Sequence, residues 1–582
     1  MERNISIFAS ALLLLASTAS AAIVERTFII EERTLQIACA TQVKPIVNGT
    51  LPGPALEARE GDQVIVHVIN NSTYNMTIHW HGIFQLYTNW ADGPAYVTQC
   101  PIRPGLSYTH RFNVTGQEGS LFWHAHFSAL RETVYGPIII RPRVGRNYPF
   151  SQPDGEVSIM IGEWFADDVF ELEKELISTG GGSTLSDART INGAPGPLYP
   201  CSANNTFIMR VIQGKTYLLR IVNAGLDDHV FFKLAGHTFT VVAVDARYTQ
   251  PYITDVIVLS QGQTADVLFT ANQSIGTYYM GARAYSPTIP LQFAAGTTTA
   301  IVEYQGANST DNSTTPMMPV LPDFRDTATA HRFWSNLTSL ILRNPHWSPV
   351  PLIVTERMFI TVGLGLEPCG GDNMCTNPLG TQYRFSANMN NVSFLPSTTS
   401  ISMLEAYYRN ITGVFTENFP DTPPVVFNYT DPRLEIQFPN VSLGASAPLV
   451  LIPGKETRVK RLKYGEVVNI VLQNTALLAA ENHPMHFHGF DFYVLAQGFG
   501  NYHPIKDLLK YNLLNPQERN TIAVPIGGWA VIRFKAINPG MWFVHCHRET
   551  HVPWGLAMAF IIENGPTPET SLPPPPADYP VC

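Results

Sequence analysis

The chain is poor in charged residues and lacks both a basic block and long apolar runs, and each scarcity excludes a class of protein. Charged residues make up 14% of the 582 residues, and the formal net charge is −9. A nucleic-acid-binding surface would show as a basic patch or stripe, so we expect no nucleic-acid partner. The one extended apolar run, residues 7–16, is too short to cross a bilayer, and we expect no membrane anchor.

The N-terminus has the layout of a secretory signal peptide. Arg3 precedes the apolar run, and Ala19-Ser20-Ala21 supplies the small residues of a cleavage site. We therefore predict a signal peptide over residues 1–21 and a secreted protein, and the C-terminal end from Pro573 to Cys582 shows no lipid-anchor signal. N-linked glycans are predicted by the Asn-x-Ser/Thr sequons at Asn48, Asn71, Asn75, Asn113, Asn204, Asn272, Asn308, Asn312, Asn336, Asn391, Asn410, Asn428 and Asn440.

Cysteine is also scarce, with seven residues in the chain. Cys546 lies between two histidines, which leaves six cysteines, an even number that suits disulfides in an oxidising compartment. Six cysteines permit fifteen pairings, and their order in the chain does not select one of them.

Short apolar runs bounded by turn residues recur along the chain and predict an all-β fold. Three of these runs follow a Gly-containing turn and precede an asparagine, at Asn70, Asn223 and Asn474. This internal repeat predicts three copies of one β-sandwich unit. One helix is predicted over residues 165–178, and the Ser-, Thr-, Asn- and Pro-rich stretch from residue 308 opens a predicted linker over 308–350.

Histidines are concentrated in four short motifs, which are the strongest functional signal in the sequence. Each motif has two histidines at i and i+2, a spacing that places both imidazoles on one face of a strand. Four such pairs together predict metal binding, although a single histidine is more often structural. The motifs are His79-Trp80-His81, His124-Ala125-His126, His486-Phe487-His488 and His545-Cys546-His547, and His483 and His551 lie close to the last two.

The donor types in these motifs predict copper. Two imidazoles and one thiolate with a weak fourth position are the pattern of a blue-copper site, supplied here by His483, Cys546 and His551. A structural zinc site would use four closed ligands, usually with several cysteines, and the motifs contain one. The remaining eight histidines predict an all-imidazole site for more than one copper, which suits dioxygen reduction. Cys546 and its flanking histidines point to opposite faces of one strand, so this strand can serve both sites.

The four motifs resemble those of multicopper oxidases, and the sequence around them is similar to that of plant-type laccases. The resemblance covers the chain from about residue 25 to its last residue. It rests on the motifs and on the supporting stretches His79-Trp80-His81-Gly82, Trp90-Ala91-Asp92-Gly93-Pro94-Ala95-Tyr96, Gln99-Cys100-Pro101-Ile102 and Pro516-Gln517-Glu518-Arg519-Asn520-Thr521. It implies three cupredoxin-like Greek-key β-sandwich domains, which we place at residues 22–143, 144–307 and 351–582.

The resemblance also implies four copper ions and a division of the ligands among them. His79 and His486 match the type 2 copper, and His483, Cys546 and His551 match type 1. The two type 3 coppers are matched by His81, His124 and His547 and by His126, His488 and His545. Leu556 occupies the axial position of type 1, where a residue that cannot ligate should raise the reduction potential.

Further residues take roles from the same resemblance. Asp92 and Glu549 match positions linked to proton delivery, with orientation of a ligand imidazole as the structural alternative. The implied disulfides are Cys100–Cys582 and Cys39–Cys201, which leaves Cys369–Cys375 as a local loop.

Two residues depart from the family pattern, and one further residue is a weak candidate for substrate binding. Arg548 stands where the family usually has Leu or Ile, and we expect its guanidinium to reach solvent rather than to favour Cu(I) electrostatically. Glu132 replaces a residue that is usually small. Asp245 is a candidate to orient a phenol hydroxyl, although a turn at the end of a strand is the stronger interpretation.

These observations predict a secreted laccase of the extracellular space and cell wall (the apoplast), and we expect a monomer. It would oxidise phenols such as lignin precursors by one electron at type 1 copper and reduce dioxygen to water at a trinuclear cluster. The radicals formed would permit either lignin polymerisation or lignin degradation.

The sequence favours a laccase over three alternative functions. Leu556 argues against an ascorbate oxidase, and the complete ligand set argues against a non-enzymatic copper-carrying cell-wall protein. A ferroxidase would need several carboxylates beside the type 1 ligands, and the sequence indicates no such cluster next to His483 or His551.

Overall fold

The structure is a computed structural model that describes residues 21–180, 185–287, 296–307, 315–369, 383–396, 401–434 and 451–582. Six sheets in these residues pack in pairs as three β-sandwiches, and the predicted all-β class is confirmed. Almost all of the predicted signal peptide lies outside the described residues, as do Asn308, Asn312, Asn440 and Cys375.

The first sandwich has eight strands: β1 Ile23–Ile37, β2 Ala40–Val47, β3 Leu56–Arg59, β4 Gln63–Asn70, β5 Ile78–His81, β6 Ser107–Asn113, β7 Gly119–Ala125 and β8 Tyr135–Arg141. One sheet has the order β2-β1-β4-β6 and the other β3-β8-β7-β5. Burial alternates strictly along β4, so Val64, Val66 and Val68 face the core while the residues between them are partly exposed. By contrast, β7 is buried along its whole length because other domains cover its outer face.

The second sandwich has eleven strands: β9 Gly155–Trp164, β10 Ala188–Ile191, β11 Ile208–Val211, β12 Thr216–Asn223, β13 His229–Leu234, β14 Phe239–Val244, β15 Arg247–Thr254, β16 Ile257–Leu259, β17 Thr264–Thr270, β18 Thr277–Tyr285 and β19 Thr297–Tyr304. Its sheets have the orders β10-β9-β12-β17-β14-β15 and β11-β19-β18-β13-β16. Apolar residues of both sheets, such as Leu219 and Phe231, form its core.

Two helices accompany the second sandwich: α1 Val169–Thr179 and α2 Thr327–Ser335. α1 matches the predicted helix but begins later, because the Asp168 side chain caps it by accepting from the Phe170 amide at 2.8 Å. Its C-cap is Gly180, whose φ of +69° is a conformation that favours glycine. α2 lies within the predicted linker and packs Phe333 and Trp334 into the core of the second sandwich.

The third sandwich has thirteen strands: β20 Glu356–Pro368, β21 Tyr383–Met389, β22 Val392–Phe394, β23 Gly454–Glu456, β24 Val459–Leu462, β25 Val467–Asn474, β26 His483–Phe487, β27 Phe492–Phe499, β28 Glu518–Arg519, β29 Thr521–Val524, β30 Gly528–Lys535, β31 Gly540–Cys546 and β32 Ala557–Ile562. Its sheets have the orders β23-β22-β21-β20-β25-β30-β27-β28 and β24-β32-β31-β26-β29. Two short helices belong to it: α3 Met403–Tyr408 and α4 His551–Trp554.

The three strands that end in the repeated asparagine occupy corresponding positions in the three sandwiches. β4, β12 and β25 each pair in parallel with the first strand of their sandwich and end in a fully buried asparagine. Each asparagine Nδ2 donates to at least two backbone carbonyls: Asn70 to those of Tyr74 and Ile102, Asn223 to those of Asp228 and Leu259, and Asn474 to those of Glu481, Val524 and Pro525. The backbone carbonyls of a loop that leaves a buried strand need hydrogen-bond donors, and in all three sandwiches an asparagine side chain supplies them.

The sandwiches are held together by polar contacts and disulfides. The Asn89 Oδ1 of the first sandwich accepts from the Met541 amide of β31 at 2.8 Å. Two of the three implied disulfides, Cys39–Cys201 and Cys100–Cys582, are confirmed, and they tie the first sandwich to the second and to the C-terminal end. The third lies partly outside the described residues. Within the described part of the chain, no helix has the length and apolarity needed to cross a membrane.

The asparagine contacts predict a stability effect that is independent of metal. In Asn223→Leu, the carbonyls of Asp228 and Leu259 lose their donor, and each buried unsatisfied carbonyl costs about 1–3 kcal/mol. We expect the midpoint temperature measured by calorimetry to fall clearly below that of the wild type. Asn147→Leu, at an exposed loop position, is the control, and an equal midpoint for the two variants would contradict this account.

Candidate metal centre

The histidine motifs lie on neighbouring strands that place their imidazoles opposite one another. In the first sandwich β5 pairs with β7, and His79 lies directly across from His124. In the third sandwich β26 pairs with β31, and His486 lies directly across from His545. Residues directly opposite on adjacent antiparallel strands have their side chains close together, so each sandwich presents a patch of imidazoles.

The two patches meet, and all eleven predicted ligands fall into compact groups. Within each group, one potential donor atom per residue lies within 4.8 Å of the others. Four such groups are His79, His81 and His486; His81, His124 and His547; His126, His488 and His545; and His483, Cys546 and His551. Three of these groups combine residues from the first and third sandwiches, so neither sandwich could form the eight-histidine centre alone.

Most of these imidazoles have one ring nitrogen held by a fixed partner outside the centre. Backbone carbonyls hold the Nδ1 atoms of His79, His124, His486 and His545 at 2.7–2.9 Å, and the Asp92 carboxylate holds that of His488 at 3.0 Å. For His81 the orientation is reversed, because its Nε2 lies 3.1 Å from both Asn520 Oδ1 and Thr521 Oγ1. These contacts select the tautomer and aim the other nitrogen at the centre.

The inward nitrogens fit a metal. The Nε2 atoms of His79, His124 and His486 are buried and have no hydrogen-bond partner among the described residues. Buried polar atoms without partners are rare, and a bound cation accounts for them. Burial, followed by neighbouring imidazoles or Arg131, lowers the pKa of His81, His124, His486 and His488 well below 6.5, which keeps these rings neutral as metal ligation requires.

The group with the thiol has the geometry of a separate three-donor site. Cys546 Sγ lies 3.3 Å from His551 Nδ1 and 3.9 Å from His483 Nδ1, and all three residues are fully buried. Leu556 is also buried, and its carbonyl accepts from the Cys546 amide at 3.0 Å. One thiol and two imidazoles with an apolar neighbour form a donor set that suits copper.

Asp92 and Glu549 lie at different sides of the histidine centre. Asp92 is fully buried and contacts two ligands, with Oδ2 at 3.0 Å from His488 Nδ1 and its carbonyl at 2.7 Å from His79 Nδ1. Glu549 pairs with Arg131 at 3.0 Å, and Arg131 donates to the His547 carbonyl at 3.1 Å. Burial raises the pKa of Glu549 to about 7, and Glu173 and Asp227 add to the shift while Arg131 opposes it.

Two expectations about the thiol site are wrong. Arg548 does not reach freely into solvent, because it contacts Glu481 and lies 3.4 Å from Asp227, with 17% of its side chain exposed. Carboxylates do lie beside the site, since Glu481 Oε1 is 2.7 Å from His551 Nε2. Glu481 lies close to His483 in sequence, whereas Asp227 comes from the second sandwich, and no local pattern connects it to the site.

The other two singled-out residues serve the packing of the domains. Glu132 is buried, with its carboxylate 2.9 Å from Lys44 Nζ and accepting from the Phe165 amide at 2.8 Å, so it joins the first sandwich to the second. Asp245 lies in the turn between β14 and β15 and pairs with the buried Arg519 at 3.2 Å. It is therefore a structural turn residue, and its 1% exposure leaves it no access to substrate.

Among its described residues the second sandwich supplies no ligand, but it closes the histidine centre. Gly262 lies against it, and a Cβ built there would be 2.8 Å from His81 Cε1 and 3.0 Å from His547 Cδ2. Its φ of +82° further favours glycine at this turn.

Comparison with known proteins gives one consistent result. Three family models described as multicopper oxidase match residues 29–145, 155–307 and 418–566. The chain is 53% identical over 578 residues to Laccase-7 of Arabidopsis thaliana, covering 99% of both chains. It is 51% identical over 587 residues to Laccase-24 of Oryza sativa subsp. japonica, covering 98% of both.

Solved structures agree with the sequence comparison. The crystal structure of the laccase from Botrytis aclada is similar with a TM-score of 0.68 and 27% identity, covering 95% of this chain and 89% of that one. The predicted three cupredoxin-like domains, four coppers and oxidoreductase class are thereby confirmed. The chain belongs to the multicopper oxidase family and is a laccase-type member of it.

Proposed function

We propose that this chain is a secreted laccase that oxidises phenols by one electron at His483, Cys546 and His551 and reduces dioxygen at the eight-histidine centre. The observation that carries the proposal is the convergence of all eleven donors in compact groups. Three groups have the members predicted for type 1 and the two type 3 coppers, and the pair predicted for type 2, His79 and His486, lies together with His81. When bound, the coppers supply one-electron steps at the first site and a four-electron reduction of dioxygen to two waters at the second.

The strand β31 provides the connection between the two sites. Cys546 is the last residue of β31 and belongs to the thiol site. His545 belongs to the group with His126 and His488, and His547 to the group with His81 and His124. An electron therefore has a path along covalent bonds from the thiol to either imidazole. The four protons that dioxygen reduction consumes must arrive by a different route.

The proposed approach for the reductant is a surface cleft beside α1 and the segment before α4. This cleft borders the chain that leads into His551. Phe165, Leu172 and Leu226 give it an apolar wall, and Asp227 and Glu549 place carboxyl groups in it. An apolar pocket with few polar groups is typical of a small-molecule site. A phenol ring would pack on the wall and donate its hydroxyl to a carboxylate, which takes the proton as the ring loses an electron.

Asp92 and Glu549 are the residues proposed to serve dioxygen reduction. A second cavity is lined by His124, His126, His545 and His547 and by Glu549. Glu549 thus lines the same cavity as four ligand imidazoles, as a proton donor to the histidine centre must. Asp92 has no exposed surface, so its contacts support orientation of His79 and His488 together with local proton transfer.

Secretion and glycosylation remain part of the proposal. Of the ten sequon asparagines within the described residues, eight are exposed, whereas Asn75 and Asn391 are partly buried. Exposure permits glycan attachment, and the disulfides suit an oxidising compartment. We propose that the enzyme acts as a monomer on phenols of the cell wall, including lignin precursors, with either polymerisation or degradation as the outcome.

Oxygen uptake by the copper-loaded enzyme tests the substrate class. We expect rapid uptake with a methoxyphenol and little with ascorbate at equal concentration. Strong preference for ascorbate would contradict the argument from Leu556. No uptake with either reductant, at full copper content, would favour the copper-carrying alternative.

The role of Glu549 is tested by reducing the enzyme chemically and then mixing it with dioxygen, which bypasses the phenol cleft. General acids contribute typically 10²–10⁴-fold, so Glu549→Gln should slow reoxidation by about 100-fold or more, and Glu549→Asp should recover part of the rate. The exposed Glu25→Gln is the control. If the Glu549→Gln variant reoxidises at the wild-type rate, Glu549 is not the proton donor and another group delivers the protons.

A further inference from the structure

The thiol site is covered by a layer of charged side chains. His483 and His551 have no exposed surface, and Glu481, which touches His551, is 2% exposed. Arg548 is the outermost member of this layer, with 17% of its side chain exposed. The family resemblance places a neutral aliphatic residue at this position, so a guanidinium here is a departure from the family pattern.

The contacts in this layer run in sequence from the second sandwich to the ligand. Asp227 is held in place by Thr550 Oγ1, which donates to its Oδ1 at 3.2 Å. Arg548 Nε lies 3.4 Å from the same Oδ1, and its Nη1 contacts Glu481 Oε2. The other oxygen of Glu481 lies 2.7 Å from His551 Nε2, on the side of the ring opposite the thiol.

The backbone anchors both carboxylates of this layer. The Glu481 carbonyl accepts from Asn474, the buried asparagine that ends β25. The amides of Leu226 and Asp227 donate to Glu163 at 2.6 Å and 2.8 Å. Arg548 therefore bridges two carboxylates whose positions are fixed from different domains, and a planar guanidinium fork suits that task.

A carboxylate that accepts a hydrogen bond from a ligand imidazole makes that ligand more electron-donating. This effect stabilises the oxidised, more positive state of a bound metal. A guanidinium paired with the same carboxylate withdraws charge from it and reduces the effect. The attraction is strong because the pair lies at a protein interface where water is largely excluded.

We propose that Arg548 is a positioning residue that acts through Glu481: its guanidinium offsets the charge of this carboxylate, weakens its effect on His551, and so raises the reduction potential of the type 1 copper. The inference rests on the proposed type 1 ligand set. It adds a residue outside that set that determines which phenols the enzyme can oxidise, because a higher potential extends the range to phenols that are harder to oxidise.

The test measures the potential of the type 1 copper by redox titration of its absorption in copper-loaded enzyme. We expect Arg548→Leu to shift the equilibrium toward the oxidised state at least tenfold, which is about 59 mV for one electron. Arg548→Lys keeps the charge but not the fork, and should recover part of the shift. Copper content and the spectrum of the type 2 copper should stay unchanged in both variants.

A double-mutant cycle separates action through Glu481 from the field of the guanidinium itself. Glu481→Gln alone should raise the potential, because the charge of the carboxylate is lost while Arg548 remains. In the Glu481→Gln background, Arg548→Leu should have less than half of its wild-type effect. If Arg548→Leu does not load copper, Arg548→Lys carries the test: a potential below that of the wild type supports the inference, and an unchanged potential would overturn it.

The outcomes that contradict the inference differ from those that contradict the function. An unchanged potential in Arg548→Leu, or a shift of full size that persists in Glu481→Gln, would overturn the role of Arg548 while leaving the laccase intact. Absence of a type 1 absorption in the fully loaded wild type would instead overturn the ligand set on which both proposals rest.

Discussion

The structure depends on the fact that an imidazole has two ring nitrogens, so a hydrogen bond to one determines where the other points. His79, His124, His486 and His545 have their Nδ1 atoms fixed by backbone carbonyls. His81 has the opposite nitrogen fixed, because Asn520 and Thr521 reach its Nε2. The scaffold thus aims donors from two sandwiches at one volume, and a bound metal offsets the cost of burying nitrogens that have no other partner.

The second constraint is that charge buried at domain interfaces must be paired. Arg519 with Asp245 joins the third sandwich to the second, and Arg131 with Glu549 joins the first to the third. The Lys44–Glu132 pair of the first sandwich contacts the second through the Phe165 amide. Breaking a buried pair is costly because it leaves an uncompensated charge, so these contacts fix the relative positions of the sandwiches. The metal centre lies where the sandwiches meet, and its geometry therefore depends on this pairing as much as on the strands.

The sequence predicted those features that depend on local spacing. Strand periodicity predicted the all-β class, and the i, i+2 histidine pairs predicted which imidazoles would share a face, as β5 and β26 show. The repeated asparagine was recognised as an echo, and the structure gives its reason in the carbonyls that Asn70, Asn223 and Asn474 satisfy.

Features that depend on distant segments could not be predicted in the same way. Asp227 and Arg548 are 321 residues apart in number and meet only because the second sandwich packs against the third. The expectation for Arg548 rested on the length and charge of its side chain, and these properties permit the guanidinium either to reach solvent or to form an ion pair. The pairing partner decides between these, and nothing near Arg548 in the sequence identifies that partner. Glu481 is close to His483 in the sequence, but its contact with His551 could be recognised only once the position of the His551 ring was known.

If the strand β31 serves two separate copper sites, removal of the Cys546 thiol alone should empty one site and leave the other filled, and Cys546→Ser makes that change. Copper content, visible absorption and electron paramagnetic resonance would be measured on the same sample, with turnover on a phenol. The account predicts three coppers retained in the histidine centre, loss of the type 1 absorption and loss of phenol-driven oxygen uptake. Retention of all four coppers with substantial turnover, or loss of every copper in a folded protein, would contradict it.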